Sequence, residues 1–443
     1  MNLRGTLLLV FAATLVPAVV QARPLAFDEA VSRALSANPR LRAAKFDVAA
    51  AKARTAEAIG RHFGEVDLVG VYNAYDDARL VRPIAGPLNP AAMGSMPFDQ
   101  NQFHFGVTWQ IPLLASGRLI TGDRIARDMA RAASATDAHA REEVRYNVRA
   151  AYRNLLVLSH ALDAVDAYVK ALEEDAHAAE LKVKVEAWAP VNAQKVLFAL
   201  EGARAQKARI VAQKQSAEAM LAALMGEDPP TDGFQVADLP GEPSPAPTPA
   251  LQELLETARA GRHDLQAARE ALNAARHRRD QARLAFLPEI GVQGSWLGHV
   301  APSVSGTLGT VDFGLYLKIP VLVGATRWYA MNETTAEAAA AAARERAKAL
   351  EVAGQVSDAS ARLEAARAQY RAGISRRDLG HEVARVEQLR LVQGTGHLED
   401  YLAARAQEAE GEAAYWQSRY DLETAMDYLE FATGASRMEG GRP

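Results

Sequence analysis

Ten histidines are the only side chains here that ordinarily titrate near neutral pH, and cysteine is absent. The histidines, at positions 62, 104, 139, 160, 177, 263, 277, 299, 381 and 397, never follow one another at a spacing of three or four. No helix turn therefore carries a two-histidine metal clamp. The lack of cysteine removes thiolate nucleophiles, thiolate metal sites and disulfides, and also excludes lipid attachment through an N-terminal cysteine. GTGHLE at Gly394 lacks the third glycine and the preceding strand of a dinucleotide loop, and there is no GxSxG, P-loop or HExxH. Adjacent acids such as Asp76 and Asp77, or Glu142 and Glu143, read as solvated faces rather than acid–base dyads. The expectation is a protein that is not an enzyme and has no catalytic residue, resident metal or cofactor.

What organises the sequence is pattern. The 443 residues are 49% apolar and 23% charged, and a formal charge of −4 gives no electrostatic reason to expect a nucleic-acid partner. Residues 1–22 carry Arg4, an apolar run and a small-x-small ending at Ala22, as a secretory signal does. The run is shorter than the ~20 residues that span a bilayer, and no later apolar segment reaches that length. A membrane location would therefore require strands.

QNQFHFGVTWQIPL, residues 100–113, alternates strictly, placing Phe103, Phe105, Val107 and Trp109 on one face and Gln102, His104, Thr108 and Gln110 on the other. GEVDLVGVYNAY, PEIGVQGSWLGHV and VDFGLYLKIPV read the same way, with Phe313, Leu315 and Leu317 on the apolar face of the last. Each is about as long as a tilted strand crossing hydrocarbon. Tyr72, Tyr75, Trp109, Trp296 and Tyr316 are candidates for interfacial girdles. Alternation alone leaves a soluble sandwich open as the other reading.

The chain also repeats itself. The stretch from Ala26 aligns without a gap on the stretch from Ala250, an offset of 224, and WQIPLLASGR aligns on LKIPVLVGAT at 208. The difference falls in a Pro/Gly-rich loop at 78–99. Each half reads helix, strand, loop, strand, long helix, helix. The expected organisation is a signal peptide at 1–22, a first repeat at 23–226, a Pro-rich linker or equatorial region at 227–249, a second repeat at 250–434 and a polar tail at 435–443.

From Arg118 to Val185 there is no proline and a single glycine, so one helix of about 65 residues, roughly 100 Å at ~1.5 Å per residue, is expected. Val144, Val148, Ala151, Leu155, Leu158, Leu162, Val165, Val169 and Leu172 step by alternating fours and threes, a heptad seam for a partner helix. The second-half counterpart runs from Trp328 to about Gln393 and is alanine-rich.

Four strands in lipid leave two open edges whose unpaired backbone groups would cost on the order of tens of kcal/mol. One chain cannot close a barrel, so identical copies must complete it.

At this point the sequence resembles the outer-membrane efflux proteins of which the TolC channel is the type. The resemblance runs from Leu25 to Gly434 and rests on LAFDEAVSRALSANPRLRAAKFDVAAAKA, the QIPLLASGR turn, the duplicated layout and VQGTGHLEDYLAARAQEAEGEAAYWQSRYDLETAMDYL. It implies a mainly α fold with β: long antiparallel coiled-coil helices forming a periplasmic barrel, and four transmembrane β-strands per chain completing a trimeric 12-stranded outer-membrane β-barrel. The implied partners are two further copies, outer-membrane lipid, a periplasmic adaptor (membrane fusion) protein, and an inner-membrane transporter of RND, ABC or MFS type. The implied function is the exit duct of a tripartite efflux or type I secretion system. The competing reading is a secreted coiled-coil structural or adhesive protein with a soluble β region.

The family's tip pattern falls on Gly394, Thr395 and Asp400, with Glu399 beside it. In the first half Lys195 stands where the type member is acidic, so the aperture is expected to involve Asp400, Glu399 and Lys195, with Asp400 paired to Lys195 of the same or a neighbouring chain as a weak latch. Trp188, Pro190, Gly394, Thr395 and Gly396 mark the turns an adaptor would meet. Phe103, Phe105, Val107, Trp109, Phe313, Leu315 and Leu317 are expected to face lipid.

Overall fold

A computed structural model describes residues 24–84, 96–231, 233–243, 247–321 and 324–435. The expected signal peptide, the tail beyond 435 and the middle of the 78–99 loop lie outside the described residues.

Two short helices open the chain, α1 (Phe27–Ala37) and α2 (Pro39–Gly60), followed by strands β1 (Glu65–Leu80) and β2 (Phe98–Leu114), the long helix α3 (Arg118–Lys184) and α4 (Pro190–Met225). The second half repeats the order as α5 (Leu251–Gly261), α6 (His263–Leu284), β3 (Glu289–Val300), β4 (Leu308–Lys318), α7 (Thr326–Val392) and α8 (Leu398–Thr433). Corresponding helices match in length to the residue, 11, 22, 67 and 36. The difference between the halves sits in the hairpins: β1 and β2 have 16 and 17 residues, β3 and β4 have 12 and 11.

The opening helix of each half is thus two helices rather than one. Pro39 disfavours helical geometry at Asn38, whose side chain caps α2 by accepting from Arg40 N–H and ties it to α4 by donating to the Leu224 carbonyl. In the second half Arg262 breaks the helix, donating to the Phe431 and Ala432 carbonyls of α8. The strands also differ from expectation. β1 and β2 extend into the 78–99 loop, with an irregularity between Ala74 and Arg79. β4 ends at Lys318, because its pairing with β3 stops at Glu289, and Ile319 and Pro320 lie outside it.

The four strands form one antiparallel sheet in the order β1-β2-β3-β4, leaving β1 and β4 as its edges. Below it, α3 packs first against α2 and α6, then against α4 and α8. α7 packs on α6 near the sheet and on α8 beyond it. The helix order is α2-α3-α6-α7 at the sheet end and α4-α3-α8-α7 at the far end. The heptad seam of α3 is buried or half-buried along its length, and Tyr152, Leu156 and Val157 are buried beside it, because α3 has neighbours on both sides.

The linker wraps this packing. Leu25 forms a parallel bridge with Val236, and the Tyr152 hydroxyl donates to the carbonyls of Leu25 and Ala237. Arg419 of α8 holds the carbonyls of Leu239 and Gly241, and the His160 ring stacks on Trp416 while bonding Asp238.

Candidate functional site

The register assigns the two faces of the sheet. One face carries the rows Val66-Trp109-Gly294-Phe313 and Leu68-Val107-Trp296-Val311, with Phe105 one row further on. Phe313 and Leu315 remain 73% exposed and Leu68 88%. Among the described residues no second sheet covers this face, and its apolar side chains lie bare. Phe103, Phe105, Val107, Trp109, Phe313, Leu315 and Leu317 all share it. Phe105 lies edge-on to Trp296, and Gly294 lies under the Trp109 indole.

The opposite face is polar. Its rows include Asp67-Thr108-Ser295-Asp312 and Val71-His104-His299-Leu308. Ser295 donates to Asp312, and Gln102, 2% exposed, donates to the carbonyls of Arg79 and Asp99. Two of the aromatics expected at girdles belong here instead. Tyr75 and Tyr316 fall in the opposite phase of the alternation to Tyr72 and Leu317, and Tyr316 bonds Glu289.

Far from the sheet, the α3–α4 and α7–α8 turns have the same geometry. Glu186 (φ 59°) and Gly394 (φ 74°) take left-handed conformations after the helix ends. Ala187 and Trp188 N–H donate to the Lys182 carbonyl, as Thr395 and Gly396 do to Arg390. These bonds satisfy the carbonyls that a helix end leaves free. Pro190 and Leu398 then begin the return helices. Lys182 sits over the Trp188 ring, 4.3 Å from its centroid. Leu172, Ala179, Val196, Leu200, Leu398 and Tyr401 pack the two turns together. Burial and the Asp175 carboxylate push the Tyr401 hydroxyl, which bonds Asp175, up to about 12.

Here the structure corrects one expectation. Lys195 pairs within the chain with Glu399, not Asp400. Glu399 occupies the first turn of α8 on the side of α4, and the following residue is rotated away by about 100°. Asp400 is exposed and, among the described residues, has no ion pair. The Lys195 hydrogen bond holds the Glu399 carboxyl below its ordinary value of 4.5.

Sequence spacing missed two constellations, both formed between elements. Arg153 of α3, 7% exposed, pairs with Glu423 and Asp427 of α8. His104 and His299 meet across β2 and β3 with Nδ1 atoms 2.7 Å apart. Only the strand register could have revealed the second. Among the described residues no three His, Asp or Glu side chains converge to hold a metal, and no helix is long and apolar enough to cross a membrane.

A sheet with a bare apolar face, standing on helices of 67 residues, defines a barrel-and-tunnel channel subunit. The chain matches the family described as Outer membrane efflux protein over residues 30–227 and 254–435, and it belongs to that family. Its strands lie in the outer membrane and its helices form a periplasmic tunnel wall. No curated protein sequence matches it significantly. Among solved structures, a membrane protein from Pseudomonas aeruginosa has the same fold, with TM-score 0.77 at 21% identity, covering 92% of this chain and 93% of that one. The Campylobacter jejuni CmeC outer membrane channel follows at 0.76 and 18%, covering 94% and 87%. The Neisseria gonorrhoeae MtrE outer membrane channel, in its open state, gives 0.72 and 20%, covering 92% and 88%.

Proposed function

We propose that three copies of this chain close a twelve-stranded barrel and a continuous helical tunnel. This assembly is the exit duct of a tripartite efflux or type I secretion system. One observation carries the reading: the chain's unfinished flanks line up at every level. β1, α2 and α4 form one flank, and β4 and α7 form the other. Both flanks expose large apolar side chains, with Phe63 beside α2 at 75%, Phe198 on α4 at 85% and Val392 on α7 at 80%. A cyclic arrangement joining the flanks pairs the sheet edges and covers these side chains together.

In this assembly the Trp188–Pro190 and Gly394–Gly396 turns face the periplasmic end, where an adaptor hairpin meets them and an RND, ABC or MFS transporter supplies the cargo. Lys195 and Glu399 tie neighbouring tips within each chain, and Asp400 is left to face the aperture or the next chain. Purified protein added to a planar lipid bilayer is expected to give discrete, long-lived conductance steps. Folded, heat-stable protein that inserts without any conductance would contradict the duct.

A further inference from the structure

The polar face of the sheet holds one chemically capable pair that passive conduction leaves unused. His104 and His299 are direct cross-strand partners, and their Nδ1 atoms lie 2.7 Å apart. His299 is 5% exposed, and its Nε2 lies 2.7 Å from Thr310 Oγ1 on β4. Two neutral imidazole nitrogens at this distance share one proton. When His299 Nε2–H donates to Thr310, its Nδ1 lone pair is aimed at His104. A second group holding one ring nitrogen so that the other is presented is how metal-binding imidazoles are oriented. The pair borders an open hollow of about 660 Å³, also lined by Asn73, Gln102 and Tyr75, through which a hydrated ion can arrive.

We propose that His104 and His299 form a two-imidazole site for a borderline divalent transition cation such as Cu2+, Ni2+ or Zn2+. The ion takes the two Nδ1 lone pairs, and the proton between them passes through water to His104 Nε2, so the rings stay neutral. Metal–nitrogen bonds of ~2.0 Å need the two nitrogens a few tenths of an ångström further apart. The lone pairs, which face each other in the hydrogen bond, must each turn by roughly 40° to converge on the ion, a turn that the broad χ2 well of histidine permits. Arg82 borders the same hollow and opposes any cation electrostatically. That selects ions with real affinity for imidazole over hard ions such as Ca2+ and Mg2+. No third His, Asp or Glu completes a cage among the described residues, so water or cargo fills the remaining positions. Two protein ligands give a weak, reversible hold, which suits passage better than storage.

The position of this site inside the lumen rests on the duct reading, whereas its ligand geometry does not. The test is copper binding to the untagged, detergent-solubilised full chain, followed by electron paramagnetic resonance. The expected result is an imidazole-coordinated signal saturating at a single ion per chain, unchanged by excess Ca2+. His104→Gln and His299→Gln should each abolish it while heat-stable gel mobility is kept, and Thr310→Val should weaken binding about tenfold. Should His299→Gln lose the fold, the more exposed His104 decides alone. A full signal in folded His104→Gln protein, or none in the unaltered chain, would overturn the site. Since binding is read without transport, failure here leaves the conductance result standing, and the converse also holds.

Discussion

Gly294 faces the Trp109 indole from the next strand, and a Cβ added there would lie 2.3 Å from the ring. Gly294→Val is therefore expected to force the indole out of its place and disrupt β2–β3 pairing, seen as loss of heat-modifiable mobility, whereas Val292→Ala should keep it. At the tip, breaking the Lys195–Glu399 pair with Lys195→Ala is expected to raise leakage through the closed duct at neutral pH. Glu399 has a lowered folded value, so its contribution is present above 4.5 and is lost as pH falls through the folded value. Leak that is independent of both Lys195 and acidification would discard the pair as a latch. His381 titrates with the opposite sign. Hydrogen bonds from its ring to Glu408, 2.9 Å, and to Glu412, 3.4 Å, raise it above 6.5, against a smaller lowering by burial. Its link between α7 and α8 is fully made below 6.5 and fades as pH rises through the raised value. Amide exchange near His381 is expected to differ between the natural chain and His381→Gln at acid pH, and to converge on alkalinisation.

At the scale of elements, Arg153 binds α3 to α8 through two carboxylates in a nearly dry contact, with Phe27 against the guanidinium at 5.0 Å. Without Arg153 the two carboxylates keep only longer contacts, Asp427 to Arg149 at 3.6 Å and Glu423 to Arg419 at 3.9 Å, so the loss is expected to fall below the about 3–5 kcal/mol of a buried pair broken outright. Arg153→Ala should lower the helical melting temperature, and replacing Arg153, Glu423 and Asp427 together by apolar residues should restore part of it, since Arg149 keeps Glu430 and Arg419 keeps the Leu239 and Gly241 carbonyls. Equal melting in the single and triple variants would refute the pairing argument. The long helices were legible because a heptad seam repeats over many turns of α3, and the strands because alternation continues through residues 100–111. Breaks and partners were less legible. Asn38 signals its break through Pro39, but Arg262 breaks the second helix through carbonyls of α8 that are distant in sequence. Glu399 rather than Asp400 meets Lys195 because helix rotation, invisible in a family pattern, chooses between adjacent acids. His104 and His299 escaped notice because spacing along the chain says nothing about register across strands.

For the whole molecule, the sheet edges β1 and β4 and the flanks α2, α4 and α7 are surfaces this chain cannot satisfy alone. A single edge strand in hydrocarbon leaves backbone groups unpaired at several kcal/mol each, more than a domain's net stability. Assembly and folding of the sheet are on this account one event, so edge substitutions should lower both together. Proline in place of Phe313, on the edge strand β4, is expected to reduce trimer yield severalfold with little change to α3–α8 helicity. The most direct measurement is the native mass of the chain purified in mild detergent, taken together with its sheet content. The account predicts three chains per particle with the full sheet signal. A stable monomer with the same sheet signal would contradict it.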